Sequence, residues 1–257
     1  KTIEEVMLEI EFMETLREQG LAVPRIIINK NDGKVLKHKN TTGTWMVIAM
    51  EYIDGHHPAA YNTYIIEQLA INQAKMHIIG TQFAKNATSE PLLFLSPGEF
   101  TDQINDQELT DQKVEALIKR ARQFSVMLNK ELECGYVHSD YDIENTLFDN
   151  SDKLRAILDF DDLVLMPVIV CLSFTLWSVL FETGDISNVD HYVETYTKIR
   201  KLTPLEVSLF PRIILFRHYA LAALTVLQNE MESSTLSEYE RIENILTSMM
   251  SQENIDE

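Results

Sequence analysis

The chain has 257 residues, 45% of them hydrophobic, enough for one large domain or two lobes that share a core. Its 22 basic against 40 acidic side chains leave a formal net charge of −18, which excludes the broad basic surface expected of a nucleic-acid or anionic-membrane binder. The same charge suits a cationic small molecule, although the ordinary use of an acidic surface is solubility. Cys134 and Cys171 stand alone with no C-x-x-C spacing. They argue against a disulfide framework or zinc site and fit a reducing, cytoplasmic compartment.

In chain order, Thr2 to Gly20 reads as an amphipathic helix with Val6, Ile10, Met13 and Leu16 at helical spacing and Gly20 as its terminator. The opening is thus a charged helix and not a signal peptide. Val23 to Asn29 reads as a strand with a turn at Asn31-Asp32-Gly33, and Thr44 to Tyr52 as a second β-rich run that ends in Met50-Glu51-Tyr52-Ile53-Asp54-Gly55. Tyr64 to Gly80 is a helix in which His77, near the end, reads as a packing residue. Leu92 to Thr101 is a loop, and Asp111 to Cys134 a long helix stopped by Gly135.

Two short apolar runs, Thr146-Leu147-Phe148 and Leu154 to Leu158, bracket the turn residues Asp149 to Lys153 and predict a hairpin. Leu163 to Phe181 carries no charge and is nearly long enough to cross a bilayer. Ser173, Thr175, Ser178 and Pro167 favour instead a helix buried on all sides, with Asp161 and Asp162 able to cap it. Breaks follow at Thr183-Gly184-Asp185 and Thr203-Pro204, then helices over Ile213 to Glu230 and Leu236 to Met250, and a polar, frayed tail from Gln252.

The chemistry concentrates in His138-Ser139-Asp140-Tyr141-Asp142-Ile143-Glu144-Asn145 and in Leu158-Asp159-Phe160, on either side of the hairpin. This is H-x-D-x-x-x-x-N followed by D-F. Phosphoryl transfer needs a carboxylate to accept the proton of the attacking hydroxyl, and an amide and a second carboxylate to hold metal ions against the phosphates. Asp140, Asn145 and Asp159 are those groups in that order. The pattern resembles the kinase-like phosphotransferases, in particular the branch of aminoglycoside phosphotransferases, choline kinases and homoserine-kinase-like enzymes.

The resemblance implies an α+β, bilobal, protein-kinase-like fold. Residues 1–52 would be a truncated small lobe ending in the linker, and residues 53–257 a mainly helical large lobe with the catalytic hairpin. It implies a small-molecule kinase that transfers the γ-phosphate of ATP, with GTP the alternative, to a hydroxyl and requires Mg²⁺. Asp140 would be the base, Asn145 and Asp159 the metal ligands, and the backbone of Glu51, Tyr52 and Ile53 the adenine contact. Glu9 would partner a phosphate-binding lysine, with Glu4, Glu5, Glu11 and Glu14 as other registers. His138 would support the loop. Ser139 replaces the arginine of phosphorylation-switched protein kinases, and no long activation segment follows Asp159; both disfavour a protein substrate.

Two departures stand out. Met166 and Cys171 replace a glycine and a loop-bracing aspartate of the relatives, and no glycine-rich loop or strand lysine precedes the first helix. They leave open the alternative of a catalytically impaired, kinase-fold binding or regulatory module. The expected partner is a small hydroxylated substrate, with a cationic one favoured by the charge, and neither nucleic acid nor membrane; its recognition is expected on the helix over Ile213 to Glu230 and in the loop after Tyr52.

Overall fold

The structure, a computed structural model, describes residues 1–31, 33–41, 43–87, 89, 91, 94–95, 112–124, 126–127, 131–227 and 233–253. The first helix, α1 (Ile3–Glu18), starts at a capping box in which the Thr2 hydroxyl accepts from the Glu5 N–H and the Glu5 carboxylate accepts from the Thr2 N–H. Val6, Ile10, Met13 and Leu16 lie on its buried face together with Phe12, and Gly20 leaves the helix with φ +85°.

The first hairpin is not the one the sequence predicts. Strand β1 is Val35–Asn40, and it pairs antiparallel with β2, Gly43–Ile48. Val23 to Asn29 is extended but forms no strand. It makes an isolated bridge, Ile26 with Met50, flanked by the bonds Ile27 N–H to Ala49 O and Glu51 N–H to Arg25 O. The ladder goes no further, because the Arg25 N–H donates to the Glu51 carboxylate at 2.8 Å and the Val23 N–H to the Leu21 carbonyl at 3.0 Å.

Helix α2 spans Thr63–Phe83. The segments that follow include the short strand β3 (Phe94–Leu95), paired with β4 (Val126–Met127), and helix α3, Gln112–Phe124; most of the expected loop from Leu92 to Thr101 lies outside the described residues. The long helix expected as far as Cys134 therefore ends at Phe124, and Cys134–His138 is a strand, β5. Gly135 is not a helix stop. It sits in β5 where the strand crosses α2, and a Cβ there would stand 2.7 Å from the Thr81 nitrogen, while one on Gly80 would stand 2.1 Å from the Tyr136 oxygen. The two glycines let the backbones touch.

The catalytic hairpin is as predicted, β6 (Thr146–Phe148) against β7 (Leu154–Ile157), with Thr146 opposite Ile157 and a bulge near its tip. Beyond it the expected single apolar helix divides. Phe160–Asp162 make one 3₁₀ turn, Leu163–Pro167 form strand β8 paired antiparallel with β5, and only then does helix α4, Val168–Thr183, begin. Asp161 and Asp162 therefore do not cap that helix. A short apolar run carries no period that separates strand from helix; here the β5 edge captured the first five residues.

Helix α4 runs through the core, with Val168, Ile169, Val170, Cys171, Leu172 and Leu176 fully buried. Helices α5 (Ile186–Thr197), α6 (Pro204–Leu227) and α7 (Ser233–Glu253) pack around it. The last two begin earlier than the sequence suggests, and α7 runs through Gln252 and Glu253, where a frayed tail was expected. By length and composition one described helix, over Pro204–Val226, could cross a membrane, but half of its most apolar window is buried inside the protein. Phe12 ties α1 to α2 and to the 3₁₀ turn, its ring lying 5.2 Å from Phe83 and 6.2 Å from Phe160.

Candidate active site

The loop between β5 and β6 is built by its own side chains. Asp142 accepts from the Glu144 and Asn145 N–H groups at 2.8 and 3.3 Å, which turns the chain back. The Asn145 amide nitrogen then donates to the Asp140 carbonyl at 2.8 Å and to its carboxylate at 3.1 Å. Asp140 and Asn145 are thus brought together, with the Asp140 carboxylate half exposed. Burial, and then the charge of Asp140, push the Asp142 carboxyl up to about 6.

Asp159 arrives from the other side of the hairpin. The Leu158 N–H donates to the Asn145 carbonyl at 2.8 Å, so the next residue emerges beside Asn145. Asp159 has φ 56°, a left-handed conformation that costs most side chains about 1 kcal/mol or more and that aspartate tolerates better than most. Its carboxylate accepts from the Asp161 N–H at 3.4 Å and stays exposed.

His138 lies under this loop, fully buried, with Nε2 2.8 Å from the Leu158 carbonyl. Burial lowers its pKa, so the ring is neutral, and since a carbonyl only accepts, Nε2 carries the proton. It packs 5.0 Å from the Phe160 ring. His138 therefore ties one side of the motif to the other and presents nothing to a ligand. His77 is fully buried too, 2.7 Å from the Tyr196 hydroxyl, and has the packing role its sequence context suggests.

Glu9 is the buried glutamate of α1, while Glu4, Glu5 and Glu11 are exposed and Glu14 half-buried. Its carboxylate is 2.7 Å from the Lys1 ammonium, which is also 3.6 Å from the Asp161 carboxylate. Burial raises the Glu9 pKa against the opposing pull of Lys1. Glu51 points its side chain away from the linker, accepting from Arg17 at 3.0 Å and the Arg25 N–H at 2.8 Å. Tyr52 is 88% exposed, and beyond Ile53 the linker is tied to the hairpin by the reciprocal bonds of His56 and Phe148, both 2.9 Å.

A cavity of about 440 Å³ opens onto Asp140. Asp142, Glu144 and Glu182 make its walls acidic, and Tyr61, Trp177 and Phe181 make them aromatic. Arg217 enters from α6, 3.9 Å from the Asp140 carboxylate and over the Phe174 ring at 4.4 Å. Arg217 and Tyr61 lie on the helix over Ile213 to Glu230 and in the loop after Tyr52, the regions expected to recognise the acceptor, but neither residue was singled out there, and the α4 walls Trp177, Phe181 and Glu182 were not foreseen. A guanidinium inside the apolar stretch Ile213 to Ala223 was the available signal.

Asn145 and Asp159 together offer hard oxygen donors of the kind Mg²⁺ takes. The Asn145 amide nitrogen is spent on Asp140, which turns the amide oxygen away from that carboxylate. Among the described residues no group of three His, Cys, Asp or Glu could hold a metal by itself.

No curated protein matches the chain. Among solved structures, the chain superimposes on amicoumacin kinase hAmiN, solved with AMP-PNP, Ca²⁺ and Ami, with a TM-score of 0.72 and 15% identity over 95% of this chain and 78% of that one. A microcompartment-associated aminopropanol kinase follows with a TM-score of 0.71 and 16% identity over 96% and 80%. An aminoglycoside phosphotransferase from Alicyclobacillus acidocaldarius gives 0.61 and 14% over 96% and 82%. At such identities the likeness establishes the fold, which is the kinase-like one expected. Residues 1–206, from the capping box of α1 into the first turn of α6, match the family model described as APH, phosphotransferase enzyme family, and the chain belongs to that family.

Proposed function

We propose that the protein transfers the γ-phosphoryl group of ATP, with GTP the alternative donor, to a hydroxyl of a small molecule. The observation that carries this reading is the cavity that ends on the Asp140 carboxylate, with Asn145 and Asp159 beside it. The acceptor hydroxyl donates its proton to Asp140 as its oxygen bonds to phosphorus. The bond from phosphorus to the β–γ bridging oxygen breaks, and its electron pair leaves with the nucleoside diphosphate. Asn145 and Asp159 would hold Mg²⁺, which when bound neutralises the phosphate charge. The backbone at Tyr52 and Ile53 would meet the adenine edge. Glu51 contributes at most its carbonyl, because its N–H is used by Arg25.

The acceptor we favour is cationic. Around the cavity the carboxylates of Asp140, Asp142, Glu144 and Glu182 outnumber the single guanidinium of Arg217, and aromatic walls suit an ammonium group. The test is a panel of amino alcohols, sugars, amino acids and aminoglycosides incubated with ATP or GTP and Mg²⁺, read by mass spectrometry. One class should gain a phosphoryl group, and Asp140→Asn should abolish the gain. Nucleotide consumption with no phosphorylated acceptor would reject the reading.

A further inference from the structure

Asp140 receives little direct support for its aim. Its carboxylate touches Asn145 and stands near Arg217, and is otherwise half exposed. The backbone on either side is held much more firmly. The Cys171 thiol donates to the His138 carbonyl at 3.1 Å, and the Thr175 hydroxyl donates to the Tyr141 carbonyl at 2.8 Å. Both donors project from successive turns of α4. Behind them the Gln73 amide nitrogen of α2 donates to the Thr175 oxygen at 2.6 Å and approaches the Cys171 sulfur at 3.6 Å. The Gln73 amide oxygen in turn accepts from the Tyr192 hydroxyl of α5 at 2.9 Å.

The hydrogen positions in this cluster follow from the chemistry. Backbone carbonyls accept only, so thiol and hydroxyl must each give their single proton to the loop. The Thr175 oxygen and the Cys171 sulfur are then acceptors for the amide, which has two hydrogens to offer, and the amide oxygen needs the Tyr192 proton. The Thr175 hydroxyl also lies 3.3 Å from the Cys171 carbonyl of its own helix, but the Tyr141 carbonyl at 2.8 Å is the nearer acceptor, so the donors run from Tyr192 and Gln73 towards the loop. Gln73, Cys171, Thr175 and Tyr192 are all essentially inaccessible to solvent. Burial pushes the Cys171 thiol up to about 12, which keeps it protonated and a donor. In such surroundings a satisfied polar network specifies one geometry, because breaking any link strands a buried group.

We propose that Gln73, Cys171, Thr175 and Tyr192 are positioning residues, an uncharged relay from three helices that pins the carbonyls flanking Asp140 and so aims it at the acceptor hydroxyl. The role rests on Asp140 being the base. It predicts that the relay governs turnover, and leaves nucleotide binding to other groups.

The experiment compares Thr175→Val, which keeps the shape and loses the hydroxyl, with Thr175→Ser, which keeps the donor. Tyr192→Phe is a milder cut at the far end of the relay, for use if Thr175→Val folds poorly. Two readouts are taken on each: kcat together with the Kd for Mg²⁺-nucleotide, and amide exchange over residues 138–145. Thr175→Val should lose about 10- to 100-fold in kcat, the scale on which a small misplacement of a reacting group acts. Its nucleotide Kd should be unchanged and exchange should be faster in that loop, while Thr175→Ser should restore both. Wild-type kcat in Thr175→Val and Tyr192→Phe would overturn the proposal, as would a loss of kcat that Thr175→Ser fails to restore. If the wild-type protein phosphorylates no acceptor, the phosphotransferase reading fails separately, and unchanged exchange in the two variants would then also refute the relay's hold on the loop.

Discussion

The backbone N–H of Leu158 donates to the carbonyl of Asn145 across 2.8 Å, and this bond determines where Asp159 stands. It continues the β6–β7 ladder one step beyond the Thr146–Ile157 pair. The two loops that carry the motif therefore leave the hairpin side by side. The His138 ring, bonded to the Leu158 carbonyl from beneath, holds the same junction. Residues far apart in the chain become neighbours through one short ladder.

Asp140→Asn should lower kcat by roughly 100- to 10,000-fold, the contribution of a positioned general base. The substitution keeps an oxygen for the Asn145 amide, so the loop should survive. Nucleotide affinity, measured by calorimetry, should stay near wild type. A variant that retains more than about a tenth of wild-type kcat would remove Asp140 from the role of base.

Asp159→Ala should weaken nucleotide binding in the presence of Mg²⁺ and have much less effect in its absence. The carboxylate is exposed beside Asn145 and contributes a hard oxygen there. Titrations with and without Mg²⁺ check this, and an unchanged magnesium dependence would contradict the assignment.

His77 gives the fold a pH dependence with a definite sign. Burial lowers its pKa to about 3 from an ordinary value of 6.5. Between those values the unfolded chain binds a proton that the folded protein refuses, so stability is full above about pH 6.5 and falls as pH drops toward 3. Denaturation midpoints should be lower at pH 5 than at pH 7.5. His77→Asn should be less stable at pH 7.5, with a smaller gap to wild type at pH 5. A gap that stays constant would show that His77 does not carry this linkage.

Gly80→Ala should destabilise the protein by about 1–3 kcal/mol or prevent folding, the range for overpacking a closed contact. The new methyl would stand 2.1 Å from the Tyr136 oxygen, and α2 would have to lift from β5. Urea denaturation measures it. Wild-type stability would mean that the two elements separate at little cost.

What could be read from the chain is what depends on near neighbours. Val6, Ile10, Met13 and Leu16 announce α1 by their spacing, and Asp149 to Lys153 announce a turn. The apolar run from Leu163 was ambiguous for the same reason. It has no period of its own, and strand β8 exists because β5, a partner distant in sequence, offers an open edge. Likewise Val35–Asn40 has a mixed composition that signals no strand, and pairs because β2 folds back on it.

By itself, then, the sequence determined the order of chemistry: Asp140, then Asn145, then Asp159 across a hairpin, a pattern short enough to be carried by local turns. It also determined the family and the kinase-like fold. Only the tertiary structure decided what surrounds that chemistry. It brought Arg217 of α6 to within 3.9 Å of Asp140, chose Glu9 from the glutamates of α1 for burial, and joined Gln73, Thr175 and Tyr192 in one core. These choices rest on side-chain packing between helices remote in the chain. No local spacing encodes them, because the free energy that selects them is gained only when the core closes.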